Sequence, residues 1–141
     1  MKSRAAGFAI CSLACSLAVL LSSAIPASGK ATAPASAKAT VVKVTAGKPS
    51  LYRFTLSLKS VKHGTVIFKL TNVGVLPHDL KICSSSKGGT ANTCTGKATR
   101  LITRGQTASL TVKFARAGKY EYLCTFPGHA ALGMKGDLKV T

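Results

Sequence analysis

The chain contains short segments in which apolar and polar residues alternate, and this pattern begins at about residue 40. Alternation with a period of two predicts β-strands, because successive side chains of a strand point to opposite faces of a sheet. Glycine, proline and asparagine separate the segments and mark turns. No stretch has the apolar spacing of an amphipathic helix. We therefore predict about seven strands, at residues 40–45, 51–58, 65–70, 79–83, 108–114, 119–124 and 136–140.

Several short strands with regular turns are typical of an antiparallel β-sandwich or barrel, so the predicted fold class is all-β. We assign the folded domain to residues 41–141. About 100 residues are enough to bury a core between two sheets.

The N-terminus differs from the rest of the chain in being strongly apolar. Lys2 and Arg4 precede an apolar run at residues 5–21, and small residues follow it. This order predicts a secretory signal peptide at residues 1–27. The alternative is a retained membrane anchor, because the run is about the shortest that can cross a bilayer. Residues 28–40 are rich in Ala, Pro, Ser and Lys. This composition predicts a flexible leader between the signal peptide and the folded domain. The protein is thus predicted to be exported, as a periplasmic, cell-surface or secreted protein.

The five cysteines fall into two groups. Cys11 and Cys15 lie in the apolar run and are interpreted as small hydrophobes that leave with the signal peptide. Cys83 and Cys94 flank a polar loop, and in an oxidising compartment they predict a disulfide. The alternatives at these positions are two free thiols or a soft-metal pair. Cys124 is then left for another role.

The charge is strongly one-sided, with 20 Lys and Arg residues, three acids and a net charge of +17. Without Lys2 and Arg4, 18 basic residues face three acids, and the net charge is +15. Such a field concentrates anionic partners and accelerates their encounter. The lysines are spread along the strands instead of clustering with aromatic residues, so we expect no nucleic-acid partner. We expect an acidic protein partner, or an anionic membrane or cell-wall surface.

The candidate chemistry lies in the loop that follows the sixth predicted strand. Cys124, His129 and Met134 are separated there by four residues each time. A loop can turn a thiolate, an imidazole and a thioether toward one point. A single cysteine or methionine is usually core filler, and a single histidine is usually a surface residue. Their joint spacing favours a metal site instead.

A second imidazole would complete a Cys-His-His site with a weak axial sulfur. That donor set selects copper and marks electron-transfer sites. His78 follows a turn that can meet the loop at the same end of a sandwich, whereas His63 lies beside a lysine at a predicted hairpin tip. We therefore choose His78 as the fourth ligand and interpret His63 as a solvated turn residue.

Two motifs resemble those of the cupredoxins, the blue (type 1) copper proteins that include azurin, plastocyanin and auracyanin. One is Cys-Thr-Phe-Pro-Gly-His at residues 124–129, and the other is Asn-Val-Gly with Pro-His-Asp within residues 72–79. The resemblance covers roughly residues 40–141. It implies a Greek-key antiparallel β-sandwich that binds one copper ion, cycling between Cu(I) and Cu(II), at one end. It also implies three equatorial ligands and one axial ligand: Cys124, His78 and His129, with Met134 axial.

The resemblance extends to the surroundings of the ligands. The backbone N–H groups of Asp79 and Phe126 are expected to point at the Cys124 sulfur, which would raise the reduction potential. Cupredoxins usually carry asparagine where this chain has Asp79. We expect Asp79 to accept a hydrogen bond from the backbone or the hydroxyl of Thr125. The edge of His129 is expected at the surface, as the electron port.

We therefore expect a monomeric extracytoplasmic one-electron carrier with a redox partner protein. We do not expect the protein to be an enzyme. Copper reductases and oxidases need further histidine clusters, and His63 is the only histidine outside the predicted copper site. The alternative function is copper binding or buffering in the periplasm or at the cell surface. A third reading is a metal-free interaction module of the same fold. The presence of all four ligand types argues against it.

Overall fold

The structure, a computed structural model, describes residues 38–85 and 94–141. The predicted signal peptide, its membrane-anchor alternative and the leader up to residue 37 lie outside the described residues. Within the described ranges, no helix is long and apolar enough to cross a membrane. These ranges form nine strands: β1 (Thr40–Ala46), β2 (Phe54–Leu56), β3 (Ser60–Val61), β4 (Gly64–Asn72), β5 (Lys81–Cys83), β6 (Gly96–Ala98), β7 (Thr107–Phe114), β8 (Gly118–Leu123) and β9 (Lys135–Val140).

The strands form two sheets, one in the order β2-β1-β4-β7 and one in the order β3-β9-β8-β5-β6. The predicted all-β sandwich is therefore confirmed. Most neighbouring strands are antiparallel, but β1 pairs with β4 in parallel, and β3 pairs with β9 in parallel. These parallel pairs arise because the chain crosses to the other sheet between the paired strands. Such crossings are consistent with Greek-key connections.

Buried and more exposed residues alternate along the long strands. Each sheet therefore turns one face toward the core that the two sheets share. Val42 and Val44 of β1 and Phe68 and Leu70 of β4 are at most 1% exposed. Burying such a side chain contributes roughly 1.5–3 kcal/mol of transfer free energy. The core includes residues of both sheets: Val42, Val66, Phe68, Leu70, Leu80, Ile82, Tyr120, Tyr122 and Leu138.

The strand count exceeds the predicted seven by two. β3 has only two residues, and the three residues of β6 are all exposed, so neither shows an alternating pattern. β2 is shorter than the predicted strand at residues 51–58, because Arg53 donates its N–H to the carbonyl of Ser50 in a turn. These short elements form because they pair with neighbouring strands. Such pairing cannot be read from the local sequence.

The Cys83–Cys94 disulfide is present, as predicted, with a Cα–Cα distance of 5.6 Å and a sequence separation of 11. We expect the double variant Cys83→Ser, Cys94→Ser to lose about 3 kcal/mol of unfolding free energy, because the loop is no longer closed in the unfolded chain. Urea denaturation of the two proteins would measure the loss. A variant with an unchanged urea midpoint would contradict this.

β8 buries an acid on the face turned away from the main core. Tyr120 and Tyr122 enter the core, so Glu121 lies on the opposite face, where it is 2% exposed. Burial raises the pKa of the Glu121 carboxyl, an effect that Lys135 opposes and Asp137 increases. Because the folded-state pKa lies above that of the unfolded chain, the folded state favours the protonated acid. Folding stability therefore falls as pH rises through the folded-state pKa.

Glu121→Gln should abolish this pH dependence, since glutamine does not titrate. We expect the variant to gain stability relative to the parent protein as pH rises from below 4.5, the ordinary pKa of glutamate, to neutrality. Urea midpoints of both proteins across that range would be compared, so that shared titrations cancel. A stability difference that is constant with pH would refute the prediction.

Candidate metal centre

The loop between β8 and β9 is closed by its own backbone. Cys124 directly follows β8, and its N–H donates to the carbonyl of Met134 at 3.0 Å. The N–H of Met134 donates to the carbonyl of His129 at 2.9 Å. The N–H of His129 donates in turn to the carbonyl of Phe126 at 3.1 Å. Gly133 has a φ of 98°, a conformation that other residues rarely adopt. The loop therefore brings Cys124, His129 and Met134 to one end of the sandwich.

His78 reaches the same place from a segment that the buried side chain of Asn72 holds. The Asn72 amide nitrogen donates to the carbonyls of Leu76 at 2.7 Å and Ile102 at 3.0 Å, and its oxygen accepts from the N–H of Gly74 at 2.9 Å. His78 and Ile102 exchange two backbone hydrogen bonds, at 3.0 and 2.8 Å. This network fixes the segment that carries His78.

Three candidate donor atoms meet between these segments. The Nδ1 atoms of His78 and His129 are 3.2 Å apart, and the Cys124 sulfur lies 3.9 Å from the first and 3.5 Å from the second. A point equidistant from the three atoms lies about 2.1 Å from each of them. This distance is typical of a metal–nitrogen bond and close to that of a metal–thiolate bond, so one ion could bind all three atoms. The three residues are 0%, 4% and 1% exposed, respectively.

Met134 is fully buried, and its backbone is hydrogen-bonded to both Cys124 and His129, so it lies directly beside these two residues. His63 is exposed and lies elsewhere, with its N–H donating to the carbonyl of Thr141 at 2.7 Å. The structure thus brings His78, and not His63, to the cysteine.

Burial sets the protonation of the cluster. It lowers the pKa of His78 to about 4, with His129 adding to the shift and Asp79 opposing it. Burial also lowers the pKa of His129. Both imidazoles are therefore neutral at neutral pH, and each keeps a lone pair for a metal. Burial raises the pKa of the Cys124 thiol to about 11, so a bound cation has to displace its proton.

The backbone N–H groups of Asp79 and Phe126 donate to the Cys124 sulfur, as predicted, and partly offset the effect of burial on its pKa. Hydrogen bonds of this kind withdraw charge from a thiolate. They also orient the sulfur, because the donors lie on both ligand segments.

A carboxylate ties the two ligand segments together. The N–H of Thr125 donates to Oδ1 of Asp79 at 2.6 Å, and the Thr125 hydroxyl donates to Oδ2 at 2.5 Å. Asp79 follows His78 in the chain, and Thr125 follows Cys124. The predicted acceptor role of Asp79 is confirmed, with both donors engaged instead of one.

Asp79→Ala should therefore destabilise the metal-free protein by about 3 kcal/mol, because hydrogen bonds to charged groups contribute roughly 1.5–3 kcal/mol each and the buried carboxylate offsets part of that gain. Urea denaturation would measure the loss. The control is Thr125→Val, which removes only the hydroxyl and should cost about 1 kcal/mol. Equal midpoints for Asp79→Ala and the parent protein would show that this contact does not join the segments.

Two residues contact the metal loop although no sequence motif marked them. The ring of Tyr52 is 5.1 Å from that of His129, edge to face, and the ring of Phe126 is 4.6 Å from the same imidazole. Arg53 donates from its guanidinium to the carbonyl of Gly133, 80 residues away in sequence. Only the packing of the turn before β2 against the loop reveals these contacts.

Comparison with known proteins gives the cluster its family context. Residues 39–141 match the family described as copper binding proteins, plastocyanin/azurin family. The chain belongs to this family. The match spans every described strand and both ligand segments of the plastocyanin/azurin-family domain.

Individual relatives are more distant. Auracyanin-B of Chloroflexus aurantiacus is 46% identical over 43 residues, which are 30% of this chain and only 18% of that protein. A solved structure of auracyanin B aligns over 72% of this chain and 88% of its own, with 25% identity and a TM-score of 0.58. Rusticyanin of Thiobacillus ferrooxidans aligns over 75% of this chain and 79% of its own, with 23% identity and a TM-score of 0.57, which shows the fold alone.

Copper is the metal of the plastocyanin/azurin family, and the residues present fit it. A thiolate and two neutral imidazoles are donors that copper prefers, whereas magnesium and calcium prefer oxygen. The donor atoms are spaced for one ion at bonding distance from all three.

Proposed function

We propose that this protein is an extracytoplasmic one-electron carrier whose single copper ion is held by His78, Cys124, His129 and Met134. The observation that supports this best is the triangle of three buried donor atoms, whose edges fit one bound ion. When bound, copper supplies the one-electron chemistry by alternating between Cu(I) and Cu(II). The two imidazoles, the Cys124 thiolate and the Met134 sulfur would hold the ion.

Fast electron transfer requires ligands that barely move between the two oxidation states. The Asn72 network holds the segment of His78, and the Asp79–Thr125 contacts join it to the loop of Cys124. Ligands supported in this way are preorganised, so little rearrangement accompanies the change in charge. This rigidity supports a carrier more than a protein that delivers copper.

We assign the route for the electron to His129. Its imidazole is buried instead of presenting the expected surface edge, but it keeps 4% exposure whereas His78 has none. Each ligand segment also presents an exposed apolar side chain, Val75 at 64% and Leu132 at 57%. A small apolar surface beside the metal suits a brief encounter with a redox partner. We propose that this partner is acidic, because the net charge is +17, or +15 without Lys2 and Arg4, and two of the three acids are buried.

A location outside the cytoplasm is supported by the Cys83–Cys94 disulfide, since such bonds persist in oxidising compartments. We propose a carrier and not an enzyme. Of the three histidines in the chain, two belong to the cluster and the third, His63, is exposed and remote from it.

Cycling experiments would test this function. The copper-loaded protein should pass through repeated oxidation by ferricyanide and reduction by ascorbate without losing copper. Stopped-flow transfer to an acidic redox protein should slow as salt concentration rises, because salt screens the attraction. Loss of copper to a chelator at each reduction would instead favour the copper-buffering alternative and overturn the carrier proposal.

A further inference from the structure

A second cluster of metal-binding side chains lies on the face of β8 that is turned away from the main core. Cys83 on β5, Cys94 just before β6 and Glu121 on β8 place two sulfurs and a carboxylate oxygen within 4.8 Å of one another. The two sulfurs form the disulfide, and Oε2 of Glu121 lies 3.7 Å from the Cys83 sulfur. None of these residues is a ligand in the copper centre.

Glu121 is buried with incomplete hydrogen bonding, although Lys135 favours its charged form. The residue is 2% exposed, and its Oε1 has no hydrogen-bond partner in the described part of the chain. Oε2 faces a disulfide sulfur, which has no proton to donate. Burying a polar group without hydrogen bonds costs free energy, so it calls for a role other than stability.

We propose that reduction of the Cys83–Cys94 disulfide creates a second metal site, in which two thiolates and the Glu121 carboxylate bind a zinc-like divalent cation. Zinc accepts cysteine sulfur and carboxylate oxygen in the same site. The softer Cu(I) ion selects thiolates and has no need of the carboxylate. Glu121 is therefore the residue that distinguishes a zinc site from a simple dithiol.

The donors stay together after reduction because paired strands hold them. Ile82 and Tyr122 are paired across β5 and β8, which places the next residue, Cys83, beside Glu121. Cys83 is also paired with Gly96 of β6, two residues after Cys94. Strand pairing thus holds Cys83 beside Glu121, and β6 keeps Cys94 within two residues of the partner of Cys83.

The reducing step requires an external dithiol. One of its thiolates attacks a cysteine sulfur, the Cys83–Cys94 bond breaks, and the second thiol resolves the mixed disulfide. Two electrons and two protons pass to the cysteines, and the dithiol leaves as a disulfide. Cys94 is the accessible point of attack, since it is half-buried whereas Cys83 is 3% exposed. Cation binding then displaces the two thiol protons and any proton on Glu121.

Zinc titration of the copper-loaded protein would test the proposal, because copper already occupies the Cys124 site. The protein is reduced with a dithiol, desalted without oxygen and titrated with Zn²⁺ against a chromophoric zinc chelator. We expect one equivalent of zinc in the reduced protein and none in the unreduced protein. Glu121→Gln should weaken the zinc affinity by at least roughly tenfold.

The double variant Cys83→Ser, Cys94→Ser is the matched control, since it lacks the cross-link and the thiols but keeps Glu121. It should bind no zinc after the same treatment. Zinc binding by this variant, unchanged affinity in Glu121→Gln, or no binding by the reduced parent protein would overturn the proposal. Loss of a dispersed NMR spectrum on reduction would overturn it as well. None of these results bears on the colour of the copper centre.

Discussion

The variant Cys124→Ser is expected to lack the intense visible absorption of the copper-loaded protein and to bind copper at least roughly 100-fold more weakly. The colour of such a site comes from charge transfer between thiolate and copper, which a hydroxyl does not provide. Cys124 is the one free cysteine among the described residues and the only sulfur of the donor triangle. Serine is nearly the same size, so the fold and the two imidazoles should persist.

Visible spectra and copper competition with a chelator would measure both effects. His63→Ala is the control, because it removes the one histidine that lies away from the cluster and should leave colour and affinity unchanged. A coloured Cys124→Ser protein would mean that a different sulfur binds the metal, and the assigned ligand set would be wrong.

Phe68→Ala is expected to have the largest effect on stability, about 3–5 kcal/mol, because it deletes a large side chain from a close-packed core. Phe68 is fully buried in the middle of β4, and its ring is 6.4 Å from that of Phe114 on the adjacent β7. A domain of this size has only about 5–15 kcal/mol of total stability. The variant should therefore unfold at a much lower urea concentration.

Lys69→Ala is the matched control, since the neighbouring residue on β4 is exposed and should change stability by no more than about 0.5 kcal/mol. Urea denaturation of the metal-free proteins would separate the two variants. Similar midpoints would show that the sheets do not pack through this face of β4.

The fold was largely predictable because burial in a sandwich follows the alternation of residues along each strand. β4 illustrates this, since Val66, Phe68 and Leu70 are buried whereas Lys69 between them is exposed. The pattern did not reveal which strands pair. The parallel pairing of β1 with β4, and the short strands β3 and β6, depend on contacts between distant segments.

The metal-binding residues were predictable for a different reason, namely that three of them share one loop at regular spacing. The hydrogen bonds to the Cys124 sulfur and to Asp79 followed from the resemblance to cupredoxins. The contacts of Tyr52 and Arg53 with the loop could not be predicted, because they join positions about 80 residues apart. The burial of Glu121 could not be predicted either. Its side chain lies on the face of β8 that is turned away from the core, and this face is buried only because the segment with the disulfide packs against it.

The decisive measurement for a blue copper site is the visible absorption spectrum of the oxidised, copper-loaded protein. We expect one copper per chain and an intense thiolate-to-copper band that ascorbate bleaches and ferricyanide restores. A protein that binds copper without this band, or that takes up zinc in its place and stays colourless, would contradict it.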